Sequence, residues 1–217
     1  MDIEREYVLD VYESIAEHFS DTRFCTWDFV IKFLEKQSPL DRGIEIGCGN
    51  GKNLCIRKDL NLVGIDICKK FVDICLAKKL TVFQQNCCDI AFPTSSFDYA
   101  FSIAVFHHLA TDIRRYKAMK EMIRILKPGG VGTISVWALE QTERKNNMKM
   151  RNFIPGDNYV PWTRKKDKKL FKRYYYIFNQ EMFRDYINLF TEKIIINSIF
   201  HARGNWIAIF TKKTHSY

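Results

Sequence analysis

Ile44-Glu45-Ile46-Gly47-Cys48-Gly49-Asn50-Gly51-Lys52, followed by Leu62-Val63-Gly64-Ile65-Asp66, decides the fold. Apolar residues carry a buried strand into a turn where Gly47, Gly49 and Gly51 let the backbone approach a ligand with no Cβ in the way. The second segment is another strand, ending on Asp66. In a parallel α/β sheet both strand ends open on one edge, so an acid there accepts hydrogen bonds from ribose hydroxyls. The spacing is Gly-x-Gly-x-Gly, with Lys52 where a dinucleotide fingerprint has its third glycine. That disfavours NAD and favours S-adenosylmethionine. Glu45 agrees: a carboxylate just before the turn is poorly placed for a pyrophosphate and well placed for the cationic aminoacyl end of S-adenosylmethionine. A Gly-rich surface turn between strands is the plain alternative.

A chain of 217 residues with 47% hydrophobic content has enough apolar mass for one substantial core, so a single domain is expected. Its apolar segments are too short to span a bilayer, and Met1-Asp2-Ile3-Glu4-Arg5 opens no signal peptide, which predicts a cytosolic or nuclear protein. The seven cysteines include no Cys-x-x-Cys pair. Cys48, Cys55, Cys68, Cys75, Cys87 and Cys88 lie in apolar contexts and read as reduced core or pocket thiols, with no metal site built by this chain.

Periodicity predicts a helix over 4–19, with Tyr7, Val8, Val11, Tyr12, Ile15 and Phe19 on one stripe, and a second near 26–36. Strands are expected near 43–47, 61–66, 80–85, 98–104 and 131–137, separated by helices near 51–57, 68–79 and 112–126. This alternation is the doubly wound α/β pattern. Leu126-Lys127-Pro128-Gly129-Gly130 marks a helix end, because proline cannot continue a helix and glycine supplies the positive φ of the exit turn. An irregular basic stretch follows, then a helix near 179–190 and closing strands near 193–200 and 205–212. The organisation expected is a helical cap (1–38), a cofactor-binding core (39–137), a basic insertion (138–178) and a closing helix with two strands (179–217).

Between Arg144 and Arg173 there are eleven Lys or Arg and two Asp, a net of +9 that equals the excess of the whole protein. Lys165, Lys166, Lys168 and Lys169 sit among Tyr159, Trp162, Phe171, Tyr174, Tyr175 and Tyr176. Phosphate-binding charge is thus interleaved with rings on which unpaired bases stack, which points to a polyanionic substrate. A solvated basic loop is the alternative.

Tyr12, Ile15-Ala16-Glu17-His18-Phe19, Thr22-Arg23-Phe24, the glycine loop, Ser102-Ile103-Ala104-Val105-Phe106-His107-His108, Val136-Trp137-Ala138-Leu139-Glu140-Gln141, Val160-Pro161-Trp162 and Arg173-Tyr174-Tyr175 recur along the chain as a set. With these the sequence resembles, from about residue 5 to Lys212, the eukaryotic tRNA methyltransferases that complete methoxycarbonylmethyluridine at wobble position 34. The resemblance implies a Rossmann-like class I fold whose seven sheet strands run 3-2-1-4-5-7-6. It implies methyl transfer from S-adenosylmethionine to the carboxylate of 5-carboxymethyluridine in a tRNA anticodon stem-loop, leaving S-adenosylhomocysteine. It also implies a small zinc-ribbon activator as partner. The edge strand Leu80-Thr81-Val82-Phe83-Gln84-Gln85 and helix 68–79, with Phe71, Ile74, Cys75 and Leu76, are the docking site expected for it. A small-molecule methyltransferase of this fold and a catalytically silent tRNA-binding module are the rival functions.

Where the family has an acid after the third strand, this chain has Asn86, then Cys87 and Cys88; the Asn86 oxygen is expected to accept from the adenine amino group, with Asp89 either its substitute or a turn acid. The cofactor contacts expected are Tyr12, Arg23, Glu45, Gly47, Gly49, Gly51, Asp66, Asn86, Cys87 and Ala104. A carboxylate nucleophile is already ionised at neutral pH, so the chemistry needs alignment and a cationic holder rather than a strong base. His108, with His107 as alternate, is expected to face substrate at the end of the fourth strand; Arg115 and Arg173 join them, and Arg114, Trp162, Tyr174 and the four lysines are expected to meet substrate or tRNA.

Overall fold

The computed structural model describes residues 2–23, 25–141 and 152–214. Met1, Phe24 of the Thr22-Arg23-Phe24 element and the first basic residues of the insertion, Arg144, Lys145, Lys149 and Arg151, therefore lie outside the described residues.

The strands are β1 (Arg42–Ile46), β2 (Asn61–Asp66), β3 (Val82–Gln84), β4 (Phe97–Ile103), β5 (Leu126–Trp137), β6 (Gly156–Thr163), β7 (Leu170–Ile177), β8 (Ile194–Ala202) and β9 (Asn205–Lys212). The helices are α1 (Asp10–Thr22), entered through a π-helical turn at Arg5–Leu9, then α2 (Asp28–Glu35), α3 (Lys69–Ala77), α4 (Asp112–Ile125) and α5 (Gln180–Asn188). Seven strands form one sheet in the order β3-β2-β1-β4-β5-β9-β8, while β6 and β7 pair apart from it. Numbered without that hairpin, the sheet has the expected order. Strands β1 to β5 are parallel, and β9 closes antiparallel on β5.

Both faces of the sheet are covered, which is why β1 and β2 read as nearly continuous apolar runs. On one face Ile44, Ile46, Ile65 and Ala100 pack against Met119, Met122 and Ile123 of α4 and Phe183 and Ile187 of α5. On the other, Tyr99 and Phe101 meet Val30, Phe33 and Leu34 of α2. Because strand side chains alternate, Ile44 and Ile46 take the first face and Glu45 is turned to the second. Helix α4 begins at Thr111, whose side chain accepts from Arg114 N. At its other end Lys212 Nζ donates to the carbonyls of Arg124 (3.3 Å) and Leu126 (2.6 Å), a cation where the helix dipole is negative.

Three expectations are corrected. Residues 51–57 form turns rather than a helix. Asn53 is drawn inward to Glu45 (2.6 Å) and Thr26 (3.2 Å), and Leu54 packs with Val72, Cys75 and Val82, so tertiary contacts replace a local helical ladder. The basic stretch is not irregular over its described part: it is the hairpin β6–β7, paired from Gly156↔Ile177 to Thr163↔Leu170. Cys55, expected in a core or pocket, is exposed. Among the described residues no helix is long and apolar enough to cross a membrane.

Gly132 of β5 lies opposite Phe210 of β9, and a Cβ there would stand 2.2 Å from the Phe210 ring. The ring occupies the space a side chain would take. Gly132→Ala is expected to cost about 1–3 kcal/mol through overpacking. Urea unfolding should show a lower midpoint with unchanged slope.

Candidate active site

A cavity of about 560 Å³ opens at the carboxyl edge of the parallel strands. This is the edge at which such sheets bind ligands. Its floor is the loop after β1, where Gly47, Gly49 and Gly51 have φ of +73°, +53° and +72°. Gly47 N and Cys48 N both donate to Ile65 O (2.7 and 2.9 Å), which fastens the loop to β2. Nothing lies within 4 Å of where a Cβ on Gly49 would stand, so its backbone faces open cavity. Asp66, ending β2, is buried and accepts from Gly49 N (2.8 Å) and Cys68 N (2.9 Å). Burial raises its pKa to about 6. A carboxylate has about four acceptor positions, so two remain for a ribose diol.

Glu45 is buried to 1% exposure beneath the loop. Its Oε1 accepts from Asn53 (2.6 Å), and its Oε2 is buried with no partner among the described residues. Burial pushes its pKa up to about 8, against the pull of the Asn53 bond and the Lys52 charge. An orphaned buried carboxylate oxygen and an open glycine backbone on one cavity wall fit the ammonium and ribose of S-adenosylmethionine. Arg23 and Lys52 also line this end, Arg23 lying over the Phe19 and Trp162 rings and Lys52 donating to Cys25 O (3.0 Å). Asn53 carried no sequence signal beyond adjacency to the loop, and Lys52 only its place at the fingerprint's third glycine.

At the adenine side Asn86 and Cys87 line the cavity, and Asn86 Oδ1 accepts from Cys88 N (2.9 Å). The expected adenine acceptor thus caps its own turn. Asp89 is exposed and outside the lining, and its backbone N–H donates to Asn86 O (3.0 Å). Ala104 lines the cavity with φ of +61°, held by Ser135.

Beyond the cofactor region the wall is Tyr12, His107, His108, Trp137, Arg173 and Tyr175. Arg173 is 2% exposed, and among the described residues it forms no ion pair. Its guanidinium lies 4.8 Å from the Trp162 ring centroid and 5.2 Å from that of Tyr175, and Nη1 donates to Tyr175 Oη (2.9 Å). Its Nε is buried without a partner among the described residues. Burial lowers the pKa of both histidines, that of His108 to about 3, so both rings are neutral and Arg173 is the cation of this wall.

The histidine expectation is revised on this geometry. His108 is engaged at both nitrogens, Nδ1 with Tyr174 O (2.9 Å) and Nε2 with Tyr12 Oη (3.0 Å). His107 accepts at Nδ1 from Trp137 N (3.2 Å), and its ring is stacked on Tyr175. Arg115, expected at the substrate, lies away from the cavity: it bonds Leu109 O (2.6 Å) and Asp112 and stacks on Tyr176, which makes it a packing cation. Arg114 lines the cavity in an ion pair with Glu4 (2.7 Å). Tyr174 is fully buried and donates to Asp157 (2.6 Å), so it does not reach tRNA. Trp162 is half-buried, donating to His18 (3.2 Å). Lys165, Lys166, Lys168 and Lys169 are exposed on the hairpin turn. Arg164 holds that turn through Asp167 (3.0 Å) and ties it to α1 through Ser14 O (2.9 Å).

Comparison with known proteins gives the family. A methyltransferase-domain family matches residues 44–134. The chain is 34% identical over 231 residues to the tRNA (carboxymethyluridine(34)-5-O)-methyltransferase of Schizosaccharomyces pombe, covering 98% of this chain and 99% of that protein. It is 32% identical over 260 residues to the tRNA (carboxymethyluridine(34)-5-O)-methyltransferase alkbh8 of Xenopus tropicalis, covering 97% of this chain but spanning only 41% of that relative's length. Among solved structures, the DhpI-SAM-HEP complex aligns at a TM-score of 0.69 and 16% identity over 93% of this chain and 94% of that one, a likeness of fold. End-to-end identity with the fission-yeast protein places the chain: it belongs to the tRNA (carboxymethyluridine(34)-5-O)-methyltransferase family.

Proposed function

We propose that this protein transfers a methyl group from S-adenosylmethionine to the carboxylate of 5-carboxymethyluridine at the tRNA wobble position, giving the methyl ester. The observation that carries this reading is Arg173, a buried cation with no acid partner among the described residues, set in the wall of a methyltransferase cavity. Burying a charge is costly unless it is paired, so such a site is completed by an anion. A small apolar substrate would leave Arg173 without a role.

When bound, S-adenosylmethionine supplies an electrophilic methyl on a sulfonium. Glu45 Oε2 would take its ammonium, Asp66 its ribose and the Gly49 backbone its close approach, and Arg23 and Lys52 would meet its carboxylate. Arg173 would hold the uridine carboxylate by charge-assisted hydrogen bonds, leaving one oxygen toward the methyl. The nucleophile is ionised beforehand, so no side chain has to remove a proton, and the two neutral histidines are consistent with that. The lysines of the hairpin turn are proposed to meet tRNA phosphates.

A small zinc-ribbon activator is proposed at the β3 edge, supported by exposed Phe83 (44%) and Leu76 (52%). Of the residues the sequence suggested, Phe71, Cys75 and Val82 are buried in the fold, while Ile74 is half-buried against the α1 cluster.

The deciding experiment is mass spectrometry of nucleosides from tRNA carrying 5-carboxymethyluridine, incubated with the protein, cofactor and activator. The methyl ester should appear, and Arg173→Gln should lower its rate by about one to two orders of magnitude while cofactor affinity holds. Ester formed by Arg173→Gln at the parental rate would remove the anion role.

Because Glu45 is protonated below about pH 8 in the free protein, taking up the cofactor's ammonium should release a proton. Affinity for S-adenosylmethionine should then rise from pH 6.5 to 8, by about tenfold per pH unit at most, and Glu45→Gln should flatten the rise. Calorimetry in buffers of different ionisation enthalpy measures the proton directly.

Neutralising Lys165, Lys166, Lys168 and Lys169 together should weaken tRNA binding and reduce its salt slope by roughly 0.7–0.9 per lost phosphate contact. Cofactor affinity serves as the internal control and should stay at the parental value. An unaltered salt slope would mean that the turn is only solvated.

A further inference from the structure

Four hydrogen bonds join Arg173 to a backbone carbonyl through the cavity wall. Arg173 Nη1 lies 2.9 Å from Tyr175 Oη, Tyr175 Oη 3.4 Å from Tyr12 Oη, Tyr12 Oη 3.0 Å from His108 Nε2, and His108 Nδ1 2.9 Å from Tyr174 O. The two ends settle every proton. A guanidinium only donates and a carbonyl only accepts. His108 Nδ1 therefore carries the hydrogen toward Tyr174 O. The neutral ring then has a bare Nε2, which accepts from the Tyr12 hydroxyl, and the Tyr12 oxygen is left to accept from Tyr175. Tyr175 in turn accepts from Arg173. All four bonds point the same way, from the cation outward, and aligned bonds of this kind polarise one another.

From this arrangement we infer that His108 is a positioning residue: its fixed tautomer orients the Tyr12 and Tyr175 hydroxyls so that their oxygens face Arg173, seating the guanidinium with neutral acceptors alone. This rests on the proposed function, in which Arg173 takes the uridine carboxylate. The device has a chemical point. An acid placed where Tyr175 is would hold the guanidinium equally well but would cancel the charge the substrate needs, whereas hydroxyl oxygens hold it and leave its charge intact. The reverse tautomer, with hydrogen on Nε2, would turn the Tyr12 hydroxyl hydrogen back toward Tyr175 and Arg173 and oppose the cation. Trp137, His107 and Trp162 complete the walls of the cage as rings, adding no anion.

Two measurements test this. In the free protein, 15N chemical shifts should report His108 as neutral with hydrogen on Nδ1, and Tyr12→Phe should move the Nε2 shift. Hydrogen on Nε2 would overturn the inference whatever the protein's substrate proves to be. In methyl transfer, His108→Ala and Tyr175→Phe should each raise KM for 5-carboxymethyluridine tRNA by about 3–10-fold, with kcat within about twofold and cofactor affinity unchanged. The double variant should be no worse than the poorer single one, because both cut one chain. His108→Gln, which restores an acceptor toward Tyr12, should recover most of the loss. Independent, multiplying effects with no recovery in His108→Gln would mean that the residues only pack. If the parent protein makes no ester at all, the functional reading fails while the tautomer measurement still decides the chain.

Discussion

A cation buried without a counter-ion among the described residues sets the terms for the distal half of this site. Arg173 is drawn out of water onto the faces of Trp162 and Tyr175, and its bonding capacity is met only in part, by hydroxyls. The faces of aromatic rings offset some of the lost hydration through their quadrupoles, and the remaining demand is for an anion. Much of the surrounding structure follows from holding that group still: Trp162 is fixed by His18, Tyr175 lies on His107, and β7 carries Arg173, Tyr174 and Tyr175 in succession past the cavity.

The opposite end of the cavity holds the acids. Glu45 and Asp66 are both buried under the glycine loop and both raised in pKa by that burial, so a bound cation or hydrogen-bond donor is what favours their ionised forms. A cofactor with an ammonium, a diol and a sulfonium suits acids at one end, and a carboxylate nucleophile suits a guanidinium at the other. In the proposed reaction the sulfonium and the carboxylate carry opposite charges and attract one another across the reacting gap. That chemistry would bring the reactants together without requiring a general base.

The basic hairpin divides its charge along its length. Its turn projects four exposed lysines, while the middle of β7 puts the buried Arg173 into the cavity wall. Rigidity between them comes from Arg164, which closes the turn on Asp167 and reaches Ser14 of α1, and from the edge contact of Tyr159 with Tyr7. Positive charge that looks uniform along the sequence is therefore divided between a solvent-facing part suited to phosphates and a single desolvated group suited to one carboxylate.

The sheet was legible in the chain because apolar runs ending at Gly47 and Asp66 have few other ways to be buried, and helix breakers at Pro128 and Gly129 fix where α4 stops. The cofactor end was legible for the same local reason: three positive-φ glycines and an acid one strand away are a backbone requirement written in residue types. Which charges are buried was not. Arg115 and Arg173 are the same residue type in comparably polar contexts, yet one stacks on Tyr176 with Asp112 as its partner and the other faces the cavity with no acid partner among the described residues. Asn53 gave no sign that it would turn inward to Glu45, and the two histidines gave none of their tautomers. Local pattern determines strands, turns and caps because those depend on neighbours in the chain. Protonation, pairing and the direction of hydrogen bonds depend on groups brought from far along it, as His108 is to Tyr12 and Tyr174, and only the tertiary structure decides them.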